Sequence, residues 1–216
     1  MLPAARTKGR LRMTPSNSEN LALLEKPTKV LVADDELLVA QGIMGLLKNL
    51  GFEVIGPCKN GEEAIAKVKD ERPDIALLDI QMPVMDGMKA AQIIFHEHDI
   101  PIVMLTAYSD DHFLRNSIAA GVFGYLLKPA SSEQISAGLT VAWQRFLDHV
   151  DQRSQIVDLT QRLDDRKLIE RAKWIIVKRK DISEPEAMKL LQKQSRSSRK
   201  SIAKVARAVI DSDGLL

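Results

Sequence analysis

The chain has 216 residues, 45% of them apolar and 28% charged, with a net charge of +2, which suits a globular protein with room for one large domain or a domain plus a small module. No apolar run approaches the roughly 18 residues needed to cross a bilayer, and one cysteine, Cys58, excludes an internal disulfide or a cysteine-rich zinc site. Aromatics are only 4%, so a base-stacking platform is not expected.

The small net charge conceals an asymmetry. Residues 29–128 hold 9 basic and 15 acidic side chains, a balance of −6, whereas residues 166–207 hold 14 basic and 4 acidic, a balance of +10. An acidic body and a basic end point to two tasks, the second with a polyanion, although a solvated helical surface would also carry such charge.

Residues 1–28 contain Arg6, Lys8, Arg10 and Arg12 and then Pro15-Ser16-Asn17-Ser18. With no continuous apolar segment this is not a secretory signal and reads as a disordered tail. KVLVA at 29–33 predicts a buried strand. A helix over 36–50 follows, stopped by Gly51. A second strand spans 53–58, and Asn60 caps a helix to about residue 70, before Arg72-Pro73. DIALL at 74–78 is apolar on both faces, as a central parallel strand should be. The loop QMPVMDG at 81–87 leads to a helix ending near 97. IPIVML at 100–105 is the fourth strand, 110–120 a helix ended by Gly121, and 123–127 the fifth strand, with a helix after Ser131. Five strands alternating with helices predict an α/β, doubly wound, five-stranded parallel sheet.

Between Ser131 and Asp181 there is one glycine, Gly138, and no proline. Trp143, Phe146, Val150 and Val157, with Ile156, Leu159 and Leu163, repeat at coiled-coil spacings interrupted by Arg153. A helical coiled-coil linker over 151–165 that supports a homodimer is expected, the alternative being a helix packed on its own domain. Beyond it, Leu168, Ala172, Ile175 and Ile176 share one helical face. Ser183-x-x-Glu186 is a capping box, with Ala187, Leu190, Leu191 and Gln194 behind it. Ser197 or Ser198 is the expected cap of a third helix carrying Ile202, Val205, Ala206 and Val209. Three short single-faced helices must bury their stripes against one another, giving a small all-α module over 166–212.

The strand ends carry the chemistry. Asp34 and Asp35 follow the first strand, Asp79 the third, Thr106 the fourth and Lys128 the fifth, and ligand sites in open parallel sheets form at that edge. Three carboxylates a few ångströms apart repel by several kcal/mol per pair at an effective dielectric near 20. A hard divalent cation resolves this, and Mg²⁺ suits few carboxylates plus phosphate oxygens and water. Asp79 could attack phosphorus as a carboxylate nucleophile, with Lys128 neutralising phosphate charge and Thr106 offering a hydroxyl. Each piece alone has a plainer reading: a helix cap, a turn residue, a surface lysine.

Together, VADDE (32–36), LLDIQMPVMDG (77–87), MLTAY (104–108) and GYLLKPA (124–130) resemble the flavodoxin-like receiver domain of bacterial response regulators, over about 29–150. The resemblance implies that Asp79 is the phospho-acceptor. It also implies that Asp35 and Asp79 bind Mg²⁺ directly, Asp34 through water, and that the Gln81 carbonyl assists. Thr106 and Tyr125 match the coupled switch pair, and Lys128-Pro129 a cis junction that aims the lysine. The implied phosphodonor is a histidine kinase or another donor, the implied location the cytoplasm.

RKLIERAK (166–173), SEPEAMKLLQKQS (183–195) and SRKSIAKVARAVI (198–210) resemble the ANTAR domain, an RNA-binding antiterminator module. That resemblance implies a response regulator that binds leader RNA hairpins and keeps a terminator from forming. The expected contacts are Arg171, Lys173, Lys178, Arg196, Arg199, Lys200 and Lys204, the last three at or off the polar side of the third helix. Two positions depart from the family, Trp174 where glycine is usual and Met188 where an aromatic is usual. Trp174 is expected in the helix interface, the alternative being a place on the RNA-contacting surface as a stacking platform. Arg179-Lys180-Asp181 lacks the usual glycine, which puts a tight turn there in question. A DNA-binding regulator is the alternative, disfavoured because no recognition-helix pattern follows LTQR at 159–162; another is a regulator acting by protein contacts. Nothing after Lys128 gathers a nucleophile, a base or metal ligands, so the only chemistry expected is self-phosphorylation and self-dephosphorylation at Asp79.

Overall fold

The computed structural model describes residues 27–107 and 120–213. The expected tail up to residue 26 and the helix expected over 110–120, apart from its last residue, lie outside them. The elements run β1 (Lys29–Ala33), α1 (Leu37–Asn49), β2 (Glu53–Cys58), α2 (Gly61–Glu71), β3 (Ile75–Asp79), α3 (Gly87–His98), β4 (Ile102–Thr106), β5 (Val122–Leu127), α4 (Ser132–Lys180), α5 (Glu184–Ser198) and α6 (Ile202–Asp213). The chain divides into two compact units at residues 151 and 152.

In the first unit the strands form one parallel sheet in the order β2-β1-β3-β4-β5. Alternation along each strand sends side chains to opposite faces. Val30, Val32, Leu77, Val103 and Leu105 meet Ile43 and Leu47 of α1 and Ile135, Leu139, Trp143 and Phe146 of α4. Leu31, Ala33, Ala76, Leu78 and Met104 meet Ala64 and Val68 of α2 and Ala90 and Ile94 of α3. Every residue of β3 is buried, as its unbroken apolar run requires of a strand covered on both faces. Asn60 caps α2 by accepting the Glu63 N–H at 2.9 Å, and Asp86 caps α3 by accepting the Lys89 N–H at 2.7 Å.

Trp143 is 1% exposed, Phe146 is also buried, and Val150 packs against the same core. The first half of the expected coiled-coil seam is therefore consumed inside the receiver-like unit. Apolar spacing says which residues share a face but not what covers it. Ile156, Val157, Leu159 and Leu163 are exposed.

In the second unit Ala172, Leu191, Val205 and Ala206 form the centre, flanked by Leu168, Ile176, Ile202 and Val209. Ser183 and Glu186 form the expected capping box. Without glycine, Asp181 takes the left-handed conformation at φ 49° between α4 and α5, which aspartate tolerates better than most residues. Three expectations need correction. The α6 cap is Ser201, whose Oγ accepts the Lys204 N–H at 3.3 Å; Ser197 and Ser198 are still in α5 and donate to the Gln194 carbonyl at 3.1 and 2.6 Å. Leu190 and Gln194 are exposed, because the short α5 buries only the narrow stripe of Ala187 and Leu191. Trp174 is 64% exposed, since α4 turns Leu168, Ala172 and Ile176 inward and leaves residue 174 on the opposite side.

Candidate functional site: an acidic cluster and a basic helical face

The site lies at the C-terminal edge of the sheet. β1 ends directly before Asp34, β3 ends on Asp79, β4 ends on Thr106, and β5 stops one residue short of Lys128. Register makes this convergence: Asp79 pairs with Leu105, and Thr106 pairs with Leu127. The Lys128 N–H donates to the Thr106 carbonyl at 2.8 Å, which fixes the start of the lysine's segment against β4. The Lys128–Pro129 peptide is cis.

Asp34, Asp35 and Asp79 each offer an oxygen within 4.8 Å of the others. Asp34 is 1% exposed and Asp79 7%, whereas Asp35 faces solvent. Lys128 Nζ reaches both buried carboxylates, at 2.6 Å from Asp34 Oδ2 and 2.8 Å from Asp79 Oδ2. Asp34 Oδ1 accepts the Glu36 N–H at 3.0 Å, while its Oδ2 faces the Lys128 ammonium at 2.6 Å. Asp34 therefore serves the site, and α1 starts without a side-chain cap. Burial raises the Asp34 carboxyl above its ordinary range, against the lowering pull of Lys128 and the Glu36 N–H. For Lys128 burial works to lower the ammonium, but its bonds to Asp34 and Asp79 outweigh that and hold it raised and charged.

Three carboxylates and one ammonium leave a charge of about −2 in a partly desolvated edge. The clustered carboxylate oxygens, two of them from buried aspartates, fit a divalent cation. Gln81 is exposed, two residues past Asp79. Thr106 is half-buried, and Tyr125 is half-buried against the α2–α3 face of the sheet.

Sequence reading missed the part played by Gly87. A Cβ there would stand 1.9 Å from the Asp79 carbonyl oxygen, so α3 can start this close to the site only on a glycine. The signal was present in the MDG of the loop, whose aspartate caps α3 and whose glycine donates its N–H to the Ile80 carbonyl at 3.0 Å.

On the second unit, Arg171, Lys178, Arg196, Arg199, Lys200 and Lys204 are exposed. Arg199 and Lys200 lie in the connection before α6, with Arg199 in the left-handed conformation at φ 53°. Only Lys204 sits on α6. Lys173 departs from its expected role. Its Nζ pairs with Glu170 at 2.9 Å and with Glu184, and its side chain is 12% exposed. It ties α4 to the start of α5 instead of facing a ligand.

Residues 30–140 match the response regulator receiver domain family, and residues 157–210 match the ANTAR domain family. The transcriptional regulatory protein PdtaR of Mycobacterium tuberculosis is 32% identical over 188 residues, covering 87% of this chain and 92% of its own. YdfI, a transcriptional regulatory protein of Bacillus subtilis, is 42% identical over 50% of this chain and 51% of its own. Among solved structures, the signal receiver domain of a modulated diguanylate cyclase from Desulfovibrio desulfuricans G20 superposes with a TM-score of 0.51 at 32% identity, over 56% of this chain and 96% of that one. Two domain matches and an alignment running through both place the chain among the response regulators that join an N-terminal receiver domain to a C-terminal ANTAR domain.

Proposed function

We propose that this protein is a two-component response regulator in which phosphorylation of Asp79 controls an RNA-binding transcription antiterminator. The observation that carries the reading is the Asp34–Asp79–Lys128 cluster at the sheet edge, in the same chain as a basic three-helix ANTAR module. A carboxylate oxygen of Asp79 attacks the phosphorus of a phosphohistidine or another donor. The new P–O bond forms as the donor's bond to phosphorus breaks, and the donor leaves with the electron pair. Lys128 sits where it balances the charge of the acyl phosphate. Asp34, Asp35 and Asp79, with the Gln81 carbonyl, are the groups that would hold Mg²⁺, which supplies charge neutralisation for phosphoryl transfer. The Thr106 hydroxyl would bond the phosphoryl oxygens, and Tyr125 would move with it.

For the output, Arg171, Lys178, Arg196, Arg199, Lys200 and Lys204 supply exposed cations for leader RNA hairpins, whose unpaired loop bases are where RNA sequence is readable. Ile156, Leu159 and Leu163, exposed at coiled-coil spacing, support a homodimer through α4. No helix among the described residues is long and apolar enough to cross a membrane, and a cytoplasmic setting fits the reading. Gel shifts with a paired-hairpin leader RNA and matched duplex DNA, with and without beryllofluoride, test it. RNA binding that responds to beryllofluoride in the wild type but not in Asp79→Asn is expected. Equal or tighter DNA binding overturns it.

A further inference from the structure

Among the described residues Trp174 takes no part in the apolar cluster of its own module. The centre of that module is Ala172, Leu191, Val205 and Ala206. On a helix turning 100° per residue, Ala172 and Ile176 lie about 160° round from residue 174, so the indole points away from the packed side. A large aromatic left 64% exposed on a chain with so few aromatics needs a reason that the fold does not supply.

Its neighbours supply one. Lys167, Arg171, Trp174 and Lys178 fall at spacings of four, three and four, a single stripe along α4. Lys167, Arg171 and Lys178 are all exposed. Arg171 and Lys178 have no acidic partner among the described residues, and Lys167 has only a loose 3.8 Å pair with Asp164. The acidic side chain nearest the indole round the helix, Glu170, is occupied by Lys173. The indole is thus bracketed by cations one turn before and one turn after it. Cations that track a phosphate backbone, with a flat ring between them, make a surface for an unpaired nucleobase, because every base has a face to stack and each lies between two phosphates. A partner protein is the poorer fit, since three cations within three turns would need matching carboxylates.

We propose that Trp174 is a stacking platform for an unpaired base of the bound RNA, flanked by Arg171 and Lys178 as phosphate contacts. This rests on the RNA-binding reading and assigns a specific recognition residue to it. It also reverses the expectation from composition that no aromatic platform exists: one well-placed ring is enough for one base.

The chain contains two tryptophans, and Trp143 is buried in the receiver core, so quenching of intrinsic fluorescence by RNA reports on Trp174. The full-length protein, activated with beryllofluoride, is titrated with a hairpin RNA bearing an adenosine loop and with the same stem as a blunt duplex. Quenching by the hairpin alone is expected. Trp174→Ala should weaken hairpin binding roughly tenfold or more, from the usual contribution of one stacked base. Trp174→Phe should retain most of the affinity, and the dependence of log K on log salt should stay the same in both variants, since no phosphate contact is removed. If the wild type binds the hairpin but shows no quenching and Trp174→Ala binds equally well, the stacking role is overturned while RNA binding stands. If Trp174→Ala instead lowers the sedimented mass, the ring belongs to a protein interface and the proposal fails. If the activated wild type binds neither RNA, both the proposal and the RNA reading fall.

Discussion

Lys128→Met removes one ammonium from between two buried carboxylates, and the geometry sets the cost. Lys128 Nζ lies 2.6 Å from Asp34 Oδ2 and 2.8 Å from Asp79 Oδ2. At an effective dielectric near 20, each attraction is about 6 kcal/mol before desolvation. The carboxylate pairs, with ligand atoms within 4.8 Å, repel by about 3.5 kcal/mol or more apiece on the same scale. Much of the attraction is offset by the cost of desolvating the ions, and stranding a buried charge by removing its partner typically costs about 3–5 kcal/mol. The Lys128 side chain is 13% exposed, and solvent at that edge favours the lower end, about 3 kcal/mol. For a domain of this size the receiver's melting temperature should fall by about 10 °C. The assay is thermal unfolding of wild type and variant, each with and without saturating MgCl₂. The variant cluster lacks the ammonium that offsets its carboxylates, so the cation should raise its melting temperature by more than it raises the wild type's. A variant that melts like the wild type and gains no more from MgCl₂ would refute the idea that this cluster is an electrostatic load held in check by Lys128.

Three further outcomes follow from the packing. Gly87→Ala places a Cβ 1.9 Å from the Asp79 carbonyl oxygen. It should cost about 1–3 kcal/mol and slow phosphorylation by a small-molecule phosphodonor, read by intact-protein mass; an unchanged rate would show that α3 yields freely. Ser201→Ala should cost about 1 kcal/mol of module stability, whereas Ser198→Ala should cost little, as followed by urea unfolding; the reverse order would restore Ser198 as the cap of α6. Burial pushes the Cys58 thiol from 9.0 up to about 11, so the folded state favours the neutral thiol. That contribution to stability is complete below the ordinary value and is lost as pH rises between the two. Iodoacetamide near neutral pH should therefore leave native Cys58 unmodified and label it in denaturant, and rapid native labelling contradicts its burial.

The sheet was legible because both of its signals are local. KVLVA and EVIGPC have the bounds of β1 and β2, and Asn60 caps α2 as its position before a helical pattern suggests. β3 runs one residue further than its apolar stretch because Asp79 still pairs with Leu105; the site residue is the last rung of the ladder. What stayed hidden depends on partners distant in sequence. Trp143 and Phe146 fit a coiled-coil seam as well as they fit a core, and only Phe123 and its neighbours on the sheet decide the matter. Trp174 was misplaced for a different reason: the stripe of Leu168, Ala172 and Ile176 already set residue 174 on the far side of the helix, and aromatic character was weighed above that spacing. Lys173 looked like its basic neighbours until Glu184, across a turn, claimed it. Ser197 and Ser198 were the caps expected for α6, and Ser201 takes that place because α5 runs on to Ser198.

The burial of β3 has a mechanical consequence. Ile75, Ala76, Leu77 and Leu78 are fully enclosed, with β1 on one side and β4 on the other, and an interior packed to crystal-like density has little compliance. A load placed on Asp79 cannot be absorbed by its own strand. The sheet is less enclosed at Thr106 and Tyr125, which are half-buried, and at Leu127, which meets solvent. If Asp79 carries the phosphoryl group, a fully buried strand bears it like an anvil, and the half-enclosed edge at Thr106 and Tyr125 has the room to respond.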